Sequence, residues 1–127
     1  MKKLVIGMVM PLALAACDSG EGEGGGGGPP PMPLPVTLAD RPDATGGERL
    51  FVEKCLMCHG DTGMGTGLLA RRVDPAVAKL EDREDLTADY VITAARMGIG
   101  NMPAIPRGEV SDEQMQQIAD YLAGEGE

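Results

Sequence analysis

Cys55-Leu56-Met57-Cys58-His59 places two thiols and an imidazole within one short turn, a spacing that can both tether and ligate a haem. Three residues apart on a helical turn, the sulfurs can each reach one porphyrin vinyl group and form a thioether, and His59 then falls beneath the iron. The covalent leash holds the cofactor on a domain too small to retain it otherwise. A redox disulfide would want a strand and a helix around the cysteine pair, which the flanking glycine-rich sequence does not offer. A closed zinc site fails on ligand count, because His59 is the only histidine and Cys17, the third cysteine, lies at the other end of the chain.

The elements that position this turn must come from a small domain. Much of the 43% hydrophobic content sits in residues 1–16 and in a proline-rich stretch, and Phe51, Tyr90 and Tyr121 are the only aromatics. About eighty residues of this composition bury a marginal core, which a large apolar cofactor helps to complete. The formal charge of −9, which becomes −11 once Lys2 and Lys3 are removed with a leader, disfavours nucleic-acid binding. It suits solubility and salt-dependent steering toward a basic partner surface.

Residues 1–3 form a basic start and residues 4–16 an apolar run too brief for a permanent membrane span, the pattern of an export signal. The run ends Leu14-Ala15-Ala16-Cys17, which resembles the bacterial lipobox, so Cys17 is expected to become a lipidated N-terminus. By resemblance to enteric lipoproteins, Asp18 favours retention at the inner membrane. Residues 17–45 read as lipidated cysteine plus tether, with a glycine run at 24–28 and prolines at 29, 30, 31, 33 and 35. Such a segment reaches on the order of 30 Å. The folded domain is expected over residues 46–124, with 125–127 as a tail.

That domain opens on Gly46-Gly47-Glu48-Arg49-Leu50-Phe51-Val52-Glu53-Lys54, a helical pattern with Leu50, Phe51 and Lys54 about one side and Glu48 near the positive helix end. A second helix is expected after Leu86, with Thr87 as N-cap, Gly98 as its stop, and Val91, Ala94 and Ala95 on one face. Asp74-Pro75 reads as the start of a short helix through Leu80. The last helix begins with the capping box Ser111-Asp112-Glu113-Gln114, repeats apolar residues at Met115, Ile118, Ala119 and Leu122, and stops at Gly124.

Gly47, Phe51 and Cys55 follow the glycine-to-aromatic spacing that precedes the haem cysteines in class I cytochromes c, and the C-terminal helix is similar too. The resemblance covers residues 45–124. It implies an all-α fold of three to five helices around one covalent haem c, with Gly47 and Phe51 meeting Ile118 and Tyr121 where the first and last helices cross. It also implies that Met102, in the loop Ile99-Gly100-Asn101-Met102-Pro103, is the sixth ligand opposite His59. Met57 and Met64 stand too near the attachment turn for that role, Met97 lies one turn too early in a helix, and most methionines are core filler. In that family a proline carbonyl soon after the motif often accepts the proximal imidazole N–H, and here Pro75 stands farther away than usual. Arg71, Arg72, Tyr90 and Arg96 are candidates for the haem propionates, and each is equally readable as a surface group.

A histidine and methionine pair fills the iron's coordination, raises the reduction potential and leaves electron transfer as the chemistry. The expected protein is a lipid-anchored carrier on the periplasmic side of the cytoplasmic membrane. It passes single electrons from a dehydrogenase to a terminal oxidase or reductase and is not itself an enzyme. Gly63, Gly65-Thr66-Gly67, Leu69-Ala70-Arg71-Arg72 and Tyr90 through Met102-Pro103 also resemble the cytochrome subunits of p-cresol methylhydroxylase-type flavocytochromes, which implies a flavin dehydrogenase that oxidises a phenol as donor. A haem peroxidase or gas sensor is the alternative if Met102 leaves the iron, and an interaction module is the alternative if no haem is attached.

Overall fold

The computed structural model describes residues 33–125. The expected leader, the lipidated Cys17 and most of the tether lie outside the described residues. Five α-helices follow in order, α1 (Gly46–Lys54), α2 (Leu56–His59), α3 (Met64–Leu69), α4 (Ala88–Met97) and α5 (Asp112–Leu122). Among the described residues the regular structure is helical, apart from one isolated antiparallel bridge between Ile99 and Met102. The expected all-α fold is present.

The first and last helices cross as the sequence suggests. Any Cβ on Gly47 would overlap the Gln117 carbonyl and stand 2.7 Å from Tyr121 Cβ, so only glycine lets α1 approach α5 this closely. Phe51, fully buried, lies 5.8 Å from the Tyr121 ring at 46°, a tilted aromatic pair. Met115, Ile118, Ala119 and Leu122 are all buried, and with Phe51, Val52, Leu56, Leu86, Ala95 and Val110 they make the core. On α1 the buried pair is Phe51 and Val52, while Leu50 is half-buried and Lys54 exposed, which rotates the inward face slightly from the expected one.

The caps explain the helix limits. Thr87 Oγ1 accepts from Tyr90 N at 3.3 Å to start α4, and Gly98, at φ 76°, ends it. Ser111 Oγ accepts from Gln114 N at 3.2 Å while Gln114 Oε1 accepts from Ser111 N at 3.0 Å, the reciprocal capping box of α5.

Two expectations are corrected. The stretch opened by Asp74-Pro75 is not one helix through Leu80. It forms two 3-10 turns, Pro75–Val77 and Leu80–Asp82, because Ala78 is buried and Lys79 is extended between them. The domain also begins earlier than residue 46. Ala44 is buried, Val36 and Leu38 pack on the core, and Arg41 makes a two-pronged ion pair to Glu81 at 2.6 and 3.0 Å. Tyr121 donates to the same Glu81 at 2.6 Å, so residues 36–44 are strapped to the second 3-10 turn and to α5.

Candidate functional site: the attachment turn and the Met102 loop

Cys55 ends α1, its N–H donating to Phe51 at 2.8 Å, and at φ −123° it breaks the helix without reversing the chain. The N–H groups of Cys58 and His59 both donate to the Cys55 carbonyl at 3.0 Å, which winds α2 as a single turn. Residues three and four apart share a helix face, so Cys55, Cys58 and His59 stand together while Leu56 is buried on the other side. Neither Cys55 nor Cys58 is in a disulfide, so both sulfurs are available for attachment. Before attachment, burial pushes the Cys55 thiol up to about 11, and the neighbouring Cys58 adds to the rise.

A glycine-rich return loop holds the imidazole. Gly63 lies against the Cys58 carbonyl closely enough that a Cβ would overlap it. A Cβ on Gly65, in α3, would stand 3.1 Å from His59 Cε1 and 3.2 Å from Nδ1. The Nδ1 edge of the ring is thus packed against backbone, which leaves Nε2 as the nitrogen for a metal. Nδ1 is buried with no hydrogen-bond partner among the described residues, and Pro75 does not supply the usual acceptor. Desolvation holds the imidazole below its ordinary pKa, favouring the neutral form that ligates metals.

Met102 closes a tight turn with Ile99, the two residues exchanging N–H···O bonds of 3.1 and 3.0 Å. It is half-buried against the core. Arg72, exposed in the segment after α3, reaches this turn, since a Cβ on Gly100 would lie 2.8 Å from its Nη1. Arg71 and Tyr90 are exposed. Arg96 is 12% exposed and its Nη atoms are committed to the chain, donating to the carbonyls of Ile105 and Ser111 and to Asp112. Its Nε is buried without a hydrogen-bond partner among the described residues.

The residues present fit a haem. Met64 (71% exposed), Met97 (77%) and Ile99 (50%) are large apolar side chains open to water, and they lie in α3, whose Gly65 backs His59, or at the entry to the Met102 loop. A flat apolar cofactor accounts for apolar exposure so placed. On the back of the attachment turn Pro33, Leu34, Val36, Leu56, Met57 and Gly60 line a cleft of about 90 Å³, and an open groove of about 440 Å³ adjoins it along residues 34–40. Among the described residues no three His, Cys, Asp or Glu groups cluster as metal ligands.

Sequence reasoning missed Gly65 as the backing of the imidazole, although its position six residues after His59 in a glycine-rich run was a usable signal. It also missed the partners of Arg96, which lie nine to sixteen residues away in the chain.

Residues 42–122 match the model of the family described as cytochrome C oxidase, cbb3-type, subunit III. A thiosulfate dehydrogenase of Psychrobacter arcticus is 37% identical over 85 residues, which cover 64% of this chain and 25% of that protein. Cytochrome c6 of Leptolyngbya boryana is 29% identical over 86 residues, covering 67% of this chain and 95% of the relative. The chain therefore spans a quarter of the length of the dehydrogenase it resembles and nearly all of the cytochrome c6. No solved structure matches.

Proposed function

The chain belongs to this family of c-type cytochrome domains and carries one covalent haem c, and on that premise we propose that it is a His59/Met102-ligated one-electron carrier held at the periplasmic face of the cytoplasmic membrane. Cys55 and Cys58 form the thioethers, and Cys17 carries the lipid. The observation that supports this reading best is the single turn of α2, which sets both thiols and the imidazole on one face with the Nδ1 edge backed by Gly65.

The haem supplies reversible one-electron redox chemistry. What the chain supplies is fixity. Gly63 and Gly65 let the return loop press on the Cys58 carbonyl and the imidazole edge, so His59 keeps its orientation. The pinned Ile99–Met102 turn fixes the backbone that carries the Met102 thioether, which would be an iron ligand when haem is bound. The excess negative charge steers encounters with a basic partner, in a salt-dependent way. The electron donor in this reading is a dehydrogenase, a flavin enzyme that oxidises a phenol being the specific candidate, and the acceptor is a terminal oxidase or reductase.

Covalent haem staining of the denatured protein and an optical spectrum of the oxidised form test this. A weak near-infrared sulfur-to-iron band that vanishes in Met102→Ala is expected. Covalent haem without that band overturns the carrier and favours a sensor or peroxidase. Loss of lipid labelling in Cys17→Ala tests the anchor.

A further inference from the structure

The segment between α4 and α5 carries Met102, and one side chain of α4 grips it at two separate points. Arg96 Nη1 donates to the Ile105 carbonyl at 3.0 Å, and Nη2 donates to the Ser111 carbonyl at 3.0 Å and to Asp112 Oδ1 at 2.9 Å. The N–H of Ile105 donates back to the Ala95 carbonyl at 2.8 Å. Ile105 is thereby bonded through both of its backbone polar groups to consecutive residues of the last helical turn. Upstream, the Ile99–Met102 pair closes the turn that ends on Met102. Met102 is thus fixed through its own backbone in that turn and lies three residues before the double anchor at Ile105.

We propose that Arg96 is the positioning residue of the Met102 loop, holding the thioether on the iron by bonding the Ile105 and Ser111 carbonyls at once. This rests on the reading of Met102 as the axial ligand. The chemistry suits arginine in particular. A planar guanidinium offers donors in a fixed fork that bridges two carbonyls, whereas an ammonium is a compact point donor. Bonds from a charged donor are stronger than neutral ones, and Arg96 makes them while shielded from water at the helix C-terminus, where positive charge is favoured. Asp112 orients the fork from outside, and its other oxygen is taken by Arg107 at 2.8 Å. Without the fork, Ile105 keeps only its single N–H bond and the loop gains freedom to lift the sulfur away.

The test compares holoprotein variants in two measurements, the affinity of the oxidised form for added imidazole, which displaces the sulfur, and thermal unfolding followed by helical circular dichroism. Arg96→Gln is expected to bind imidazole at least about tenfold more tightly, the factor implied by losing one charge-assisted bond to the loop, and to lose the near-infrared band at lower temperature. Arg96→Lys, which retains one carbonyl bond, is expected to fall between Arg96→Gln and the parent. Glu81→Gln, which loosens the Arg41 strap instead, lowers the unfolding temperature and leaves imidazole affinity unchanged. A merely structural Arg96 behaves like Glu81 in both measurements, and that result overturns the proposal. Where Arg96→Gln does not mature, Arg96→Lys decides: parental imidazole affinity overturns the proposal. A parent protein whose band is absent, or is kept in Met102→Ala, overturns the axial reading and the loop proposal together.

Discussion

The crossing of α1 and α5 and the face bearing His59 and Met102 are made from one chain by opposite means. At the crossing, Gly47 brings two backbones together, Phe51 and Tyr121 pair, and the buried stripe of α5 is complete without any other molecule. On the other face, glycines press a loop on an imidazole whose Nδ1 has no partner among the described residues, and Met64, Met97 and Ile99 stand open. The first region is closed by side chains, and on the proposed reading the second is closed by the haem. On that reading a domain this small places its cofactor where a larger protein would place more core.

The strongest way to break this contrast is to remove the haem. In Cys55→Ser/Cys58→Ser, α4 and the 98–110 loop are expected to lose amide protection from hydrogen exchange, while α1 and α5 keep residual protection. A core of this size supplies no more than about 3–5 kcal/mol alone. An unchanged cooperative melt in that double variant would show both faces to be self-sufficient. Next in size is Gly47→Val, whose Cβ has no room at the Gln117 carbonyl. Overpacking there is expected to cost about 3 kcal/mol, read in denaturant unfolding of the holoprotein, with the near-infrared band intact below the transition.

The closed region was largely legible in sequence and the open one only at its covalent centre. Caps, stripes and the Gly47 to Phe51 spacing are local patterns, so Ser111, Thr87 and the α5 stripe could be read directly. The attachment motif is local too. Arg96 was not legible, because its partners lie across a loop and its type alone suits a propionate or a carbonyl equally. Helix α3 was hidden because Gly65 and Gly67 lower helix propensity, and its formation reflects packing rather than local preference. Residues 36–44 look like the end of a linker by composition. The pairing of Arg41 with a glutamate forty positions away, together with buried Ala44 and with Val36 and Leu38 packed on the core, draws them into the domain.

That strap sharpens the comparison through pH. Burial alone would raise the Glu81 carboxyl, but the paired bonds from Arg41 and the Tyr121 hydroxyl outweigh it and lower its pKa below 4.5. A depressed carboxylate stabilises the fold above its unfolded pKa and loses that contribution as pH falls through the folded value. The parent protein is thus expected to be more stable than Glu81→Gln at neutral pH, with the gap narrowing below about pH 4.5. Denaturant midpoints measured from pH 3 to pH 7 check this, and a constant gap contradicts it. Tyr121, raised to about 12 by burial and by Glu81, acts at the other end, and its contribution fades only as pH climbs toward that value.

The smallest expected effect separates two roles within one residue. The Ser111 side chain caps α5 and belongs to the closed region, while its carbonyl receives Arg96 and belongs to the Met102 loop. Ser111→Ala removes the hydroxyl that accepts from Gln114 and donates to Glu113 but keeps the carbonyl in place. Loss of such a cap costs about 1 kcal/mol, or roughly 4–8 °C in the melting of a domain this size. Imidazole affinity should stay at the parental value, because the grip on the loop runs through backbone that the substitution leaves alone. If the affinity instead rises together with the fall in melting temperature, the two regions are not independent, and α5 must be counted as part of what holds Met102.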